Sequence, residues 1–226
     1  GDNIAYHNST TVDWIGGFLQ GNYTKDKLNV YGMGGLSSIK YSYQDHFTVA
    51  NEVIKADAIS TMQFKGGAFY DIDDNVGIFG NFGYVEKPPI MDNVIYFDGT
   101  VATDPDNEKF QSMEFGLNYN SPKYAGKVSY YNTQWKDRNL TKSVTTGQGS
   151  SGDTDVIFLT GVNQSHTGFE MEGSAQVIDM LRLDFAASFG TWKFADDAKG
   201  NYQENTSTGT KQTTYEYALK DLWEGE

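Results

Sequence analysis

The residues that could do chemistry are scattered and poorly matched to one another. DIDDN (71–75) sets Asp71, Asp73 and Asn75 at alternate positions, as the start of a calcium loop does. The glycine position of such a loop is Val76, however, and its bidentate twelfth position is Phe82. A polar hairpin turn is therefore the expectation for this stretch. DPDNE (104–108) and SGDTD (151–155) are further acidic segments, expected to be solvated loop tips. His7, His46 and His166 lie far apart in sequence, and no two of them have metal-ligand spacing, so no metal site is expected. Ser165 and His166 are adjacent, but neighbours on an extended chain point apart, and a serine nucleophile needs its base across a hydrogen bond. The sequence has no G-x-S-x-G, no P-loop and no dinucleotide fingerprint. Neither catalysis nor a cofactor is expected.

Side chains suited to binding are more plentiful. Tyr41, Tyr43, Phe47, Tyr96 and Phe97 fall in expected loops, where aromatic faces can stack on a sugar or an apolar chelate. Tyr96 and Phe97 stand in the middle of a long Pro-bounded connection and are the leading pair. Trp135 and Trp192 close their strands, which suits an interfacial aromatic girdle better than a binding site.

The elements that hold these residues are strands. In FEMEGSAQV (169–177), Phe169, Met171, Gly173, Ala175 and Val177 share one parity, and Glu170, Glu172, Ser174 and Gln176 the other. LRLDFAASF (181–189) continues the pattern after a tight turn, with Leu181, Leu183, Phe185, Ala187 and Phe189 against Arg182, Asp184, Ala186 and Ser188. Similar pairs occur at 12–24 with 27–43, 60–71 with 76–85, and 110–119 with 124–135, and a weaker strand is expected near 155–161. The phase slips at Gly32-Met33-Gly34-Gly35 and at Phe79, which reads as bulging or strong curvature. YALKDLW (217–223) reads as two helical turns or as the start of another strand. About nine or ten strands are expected.

Short and long connections alternate strictly. The hairpin turns have two to five residues, whereas 44–59, 86–109, 136–165 and everything after 195 are long and polar. A soluble sandwich has no such rule; an outer-membrane barrel does, with short periplasmic turns and long outer loops. The expected fold is therefore all-β, an antiparallel meander forming part of a transmembrane barrel. Met113, Phe115, Leu117 and Tyr119, with Phe169, Met171, Val177, Leu181, Leu183 and Phe185, would face lipid. Glu114, Asn118, Glu170, Glu172, Gln176, Arg182 and Asp184 would face the lumen.

Composition agrees with this. There are 226 residues, 25 Gly, 15 Tyr and 14 Phe, a content suited to twisted strands and turns. No stretch approaches the roughly 20 apolar residues of a membrane helix, but a transmembrane β-strand needs only about ten residues of alternating pattern and escapes that test. A formal charge of −13 argues against a nucleic-acid partner. With no Cys, disulfides and thiol-held metals are excluded.

Three stretches carry a family likeness: NEKFQSMEFGLNY (107–119), KVSYYNTQWKDR (127–138) and GVNQSHTGFEMEGSAQV (161–177), together with FGYVEKPPIMDNVI (82–95). In order and spacing the chain resembles the β-barrel of TonB-dependent outer-membrane receptors across most of 12–195. The resemblance implies that 1–226 is part of one barrel domain of a receptor in the cell outer membrane. It implies uptake of a scarce, bulky nutrient (an iron chelate, cobalamin or a glycan) driven by TonB. The family's plug domain and TonB-engaging segment are not recognisable here, and Leu222-Trp223-Glu224-Gly225-Glu226 does not match its terminal strand. An internal piece is therefore expected, binding TonB only through a segment outside it. The implied partners are outer-membrane lipid and the transported molecule, and a surface lipoprotein lid is compatible with the resemblance. The competing reading is a small complete barrel or a surface-binding β-protein without transport.

Overall fold

A computed structural model describes residues 7–46, 52–96, 99–146, 153–206 and 209–224, with backbone alone for 141–146, 153–158, 201–206 and 209–212. Its strands are β1 (Asn8–Lys25), β2 (Leu28–Asp45), β3 (Val53–Lys55), β4 (Ile59–Asp71), β5 (Val76–Lys87), β6 (Glu108–Asn120), β7 (Tyr124–Thr146), β8 (Asp153–Ile178), β9 (Leu181–Phe194), β10 (Ala198–Thr206) and β11 (Gly209–Tyr217). All eleven belong to one antiparallel sheet, in which chain neighbours pair with chain neighbours. The exceptions sit at one end: β3 pairs β2, and β8 carries both β9 and β10. Among the described residues the sheet is open, with β1 at one edge and β9 and β11 at the other.

Register turns the alternation into two surfaces. Tyr23, Val30, Ala68, Gly80, Phe115, Tyr130, Phe169 and Phe189 form one cross-strand row. Side chains of this parity are apolar, glycine or tyrosine from Ile15 to Tyr23 in β1, Leu28 to Leu36 in β2, Met62 to Tyr70 in β4 and Val76 to Tyr84 in β5. The same holds from Met113 to Tyr119 in β6, Tyr124 to Tyr130 in β7, Phe169 to Val177 in β8 and Leu181 to Phe189 in β9. The belt is therefore seven or nine residues long in each of these eight strands, starting at the short turns. It ends each time on a polar residue, namely Asp13, Ser38, Ser60, Glu86, Gln111, Asn132, Thr167 and Thr191. Nine residues rise about 27 Å along a strand. At a tilt of about 40° this spans on the order of 20 Å, the scale of a barrel's apolar band.

The other surface is polar and concave. Tyr31 Oη of β2 reaches over Gly67 of β4 to Asn81 Oδ1 of β5, at 3.1 Å. A Cβ on Gly67 would lie 2.4 Å from that oxygen, so the bridge needs glycine there. Phe79 also belongs to this surface, lying over Gly116 with the Lys127 ammonium 4.8 Å from its ring. It breaks no register: β5 pairs continuously on both sides. The slip expected at Gly32-Met33-Gly34-Gly35 is likewise absent, because β2 pairs without interruption through it. Met33 simply stands on the concave side.

The short turns are closed by their own side chains. Asp73 Oδ1 accepts from the backbone N–H of Asn75 and Val76 at 2.8 and 2.9 Å, so the DIDDN carboxylate is committed to its turn. Those two bonds hold the Asp73 carboxyl below the usual carboxylate range. Gln176 donates to Ile178 O at 2.8 Å in the β8–β9 turn.

At the opposite end two expectations are corrected and an open one is decided. Most of 136–165 is strand, as β7 and β8 run on far beyond the belt. The stretch after 195 holds the β10–β11 hairpin, whose first strand pairs the outer half of β8. Residues 221–224 then lie along β9, with Glu224 N–H on Trp192 O at 3.0 Å, so this stretch follows the strand edge and is not helical.

Candidate functional site

The concave face above the belt is the mouth of the curved wall. Its first side is a small apolar core. Tyr41 and Tyr43 stand at the outer end of β2 and are buried at 7% and 8% exposure. Val94 and Ile95 of the 88–107 connection cover them, with Ile39, Ile54, Ile59 and Met91 around. Tyr41 Oη donates to Pro89 O at 2.9 Å, and burial pushes its phenol up. The connection thus folds inward against the wall. Tyr41 and Tyr43 are not loop aromatics open to a ligand, because this connection lands on them; they anchor it. Tyr96 stays exposed at 43% on a small hairpin closed by the Ile95–Val101 bridge, where Gly99 supplies a φ of +83°. Phe97 lies outside the described residues, as does Phe47.

The second side is built by β6, β7, β8 and β9. Trp135 and Trp192 have the parity opposite to Tyr130 and Phe189. Both therefore occupy the concave face, and the girdle expected for them is corrected. The Phe110 ring meets Trp135 edge-on at 5.8 Å. The Arg138 guanidinium carbon lies 4.1 Å from the centroid of the Trp135 ring. Its Nη1 donates to Gln164 Oε1 at 2.6 Å, and Gln164 is itself 4% exposed. Two positions along, Thr133, His166 and Trp192 form one row. His166 Nε2 lies 2.7 Å from Glu224 Oε1.

Arg138 reaches Trp135 because β7 is irregular here. Residues three apart on a regular strand face opposite ways. Trp135 pairs Gln164 and Arg138 pairs Val162, so β7 carries one extra residue, and Leu140 with Leu159 restores the count on β8. Asp137 and Gly161, with φ of +56° and +68°, lie within these two shifts. The bulge re-aims the side chain that follows it. Its bonds are specific. Glu108, 2% exposed, takes Lys87 Nζ at 3.2 Å and Asn139 N–H at 3.4 Å. Asp137 accepts from Lys109 at 2.9 Å, a bond that holds the Lys109 ammonium above its usual range, and Asp137 N–H reaches Asn163 Oδ1 at 2.9 Å.

Below the mouth, the residues expected to face a lumen share the concave parity. Glu114 pairs Lys127 at 2.8 Å and accepts from Asn81 at 3.2 Å. Asn118, Glu172, Arg182 and Asp184 line one open hollow of about 710 Å³ with Lys127 and Ser174. Arg182 is 2.7 Å from Asp184. Glu170 lines an adjoining hollow, and Gln176 turns back to its hairpin. Phe110, Arg138 and Gln164 were not singled out from the sequence. For the tryptophans a signal existed, since counting by twos from Tyr130 and Phe189 passes over both.

A family model for the TonB dependent receptor-like β-barrel matches residues 1–222. Among curated proteins no match was found. Three solved structures share the fold. The copper transporter OprC has a TM-score of 0.59 and 16% identity over 92% of this chain and 34% of its own. The FrpB iron transporter from Neisseria meningitidis has 0.56 and 14%, over 94% and 33%. The ferric-catecholate import receptor Fiu from K12 E. coli has 0.56 and 10%, over 93% and 35%. The chain thus spans about a third of the length of the structures it matches.

Proposed function

Since the chain belongs to the TonB-dependent receptor β-barrel family, we propose that it forms part of the wall of an outer-membrane receptor that takes up a scarce, bulky nutrient using energy relayed by TonB. The observation that carries this reading is the pairing of two surfaces. One is an apolar belt seven or nine residues high in eight strands, and the other a concave polar wall with aromatics at its open end. The belt residues, among them Met113, Phe115, Leu117, Tyr119, Phe169, Met171, Val177, Leu181, Leu183 and Phe185, meet lipid. Glu114, Asn118, Glu170, Glu172, Gln176, Arg182 and Asp184 line the lumen, where water lowers the cost of a charge. The mouth holds the nutrient by ring faces, with Trp135, Trp192 and Phe110 on one side and Tyr96 on the inward connection. The matched structures are named for copper, iron and ferric-catecholate transport; an iron chelate suits such a mouth, as does a glycan. The wall binds and passes its cargo, and performs no chemistry on it.

The test is uptake in cells carrying the full-length receptor. Trp135→Ala with Trp192→Ala should lower uptake of its nutrient at least tenfold while the amount of receptor in the outer membrane stays unchanged. Wild-type uptake by this double variant removes the mouth from the transport route. Tyr96→Ala with Phe97→Ala tests the aromatic pair of the 88–107 connection in the same assay.

A further inference from the structure

Resting on the mouth as the binding site, we propose that Arg138 is an anion subsite, which takes the planar carboxylate of a ring-bearing ligand. Three observations point to it. The guanidinium carbon lies 4.1 Å from the centre of the Trp135 ring, a cation–π contact that holds the charge on the concave face. Its hydrogen-bond acceptor is a neutral amide, Gln164 Oε1 at 2.6 Å, and among the described residues no carboxylate is within ion-pair distance of it.

That is unusual in a chain of 30 acidic and 17 basic residues. The acids around it are engaged elsewhere. Glu108 holds Lys87, Asp137 holds Lys109, Asp196 accepts from Asn163, and Glu224 meets His166. A buried acceptor such as Gln164 therefore orients the cation without neutralising it. Guanidinium and carboxylate match in geometry, and the flanking ring faces accept the remainder of such a ligand by stacking. Two compensating register shifts bring Arg138 onto the concave face, and the Glu108 bond to Asn139 N–H holds the bulge beside it.

The experiment uses the full-length receptor in detergent, with 2-naphthoate as probe and 2-naphthalenemethanol as its neutral counterpart, measured by calorimetry. Arg138→Gln should weaken naphthoate about tenfold, the worth of one charge-assisted bond, and leave the alcohol unchanged. Gln164→Glu keeps the guanidinium but gives it an internal carboxylate, and should weaken naphthoate to a similar degree. Added salt should weaken the acid and not the alcohol. Equal binding of acid and alcohol to the wild type, no naphthoate binding at all, or indifference of naphthoate to both substitutions overturns the proposal. Loss of uptake in the tryptophan double variant with no such selectivity sinks the anion subsite alone. Arg138-dependent naphthoate binding with wild-type uptake in that variant sinks the transport reading alone.

Discussion

Met171 and Glu170 are neighbours in β8 on opposite faces, and the same substitution at both separates the two surfaces. Met171 belongs to the Leu117, Val128, Met171, Ala187 row of the belt. It stands two residues from Gly173, the middle of the nine from Phe169 to Val177. Two residues are about 7 Å along the strand and about 5 Å along the membrane normal at a tilt near 40°. Arginine on the lipid face costs about 2–4 kcal/mol at the midplane and about 0–1 near the interfaces, so Met171→Arg should cost on the order of 2–3 kcal/mol. Glu170 lies between Ser129 and Ser188, neutral neighbours, on the concave face. Glu170→Arg should stay within about 0.5 kcal/mol, as a solvated substitution does. The assay is urea unfolding of the full-length receptor folded into lipid vesicles, followed by the mobility of unheated samples on gels. The two variants should differ by at least about 1.5 kcal/mol, the gap between those two costs. Equal losses, or a larger loss for Glu170→Arg, would refute the assignment of faces. A gain in solubility without lipid for Met171→Arg would instead indicate a sheet that meets water on both sides.

Glycines under rings should be sensitive, and glycines in open space should not. A Cβ on Gly116 would lie 2.3 Å from the Phe79 ring and 2.8 Å from Val128 O, so Gly116→Ala should cost about 1–3 kcal/mol in the same unfolding assay. Gly32, with nothing within 4 Å, should accept alanine with no loss. Tyr41→Phe leaves the buried Pro89 carbonyl without its donor and should cost about 1–3 kcal/mol. Faster amide exchange confined to 90–96 is its expected signature. Asp73 binds a proton less readily folded than unfolded, so its stabilisation is present above the ordinary carboxylate range. It is lost as pH falls through the lowered value. Asp73→Asn should therefore flatten the acid limb of a stability–pH curve, and an unaltered limb in that variant would show that the turn bonds do not couple to folding.

Alternation by itself determined the strands, the two faces and the short turns, because side-chain period and lipid contact are both local. Phe169 to Val177 and Leu181 to Phe189 need no knowledge of their neighbours to be assigned a side. Above the belt that signal ends: at Asn132, Thr167 and Thr191 the outward residues turn polar, so 136–165 has the composition of a loop although the backbone ladder continues through it. Whether Tyr41 and Tyr43 are open or covered depends on where the 88–107 connection lands, a contact between segments some 50 residues apart. Parity alone would set Arg138 opposite Trp135, since three residues separate them. Only the extra residue in β7, held by Glu108 and Asn163 from two other strands, turns that cation onto the indole, and such pairing is decided by the assembled sheet and not by any stretch of chain within it.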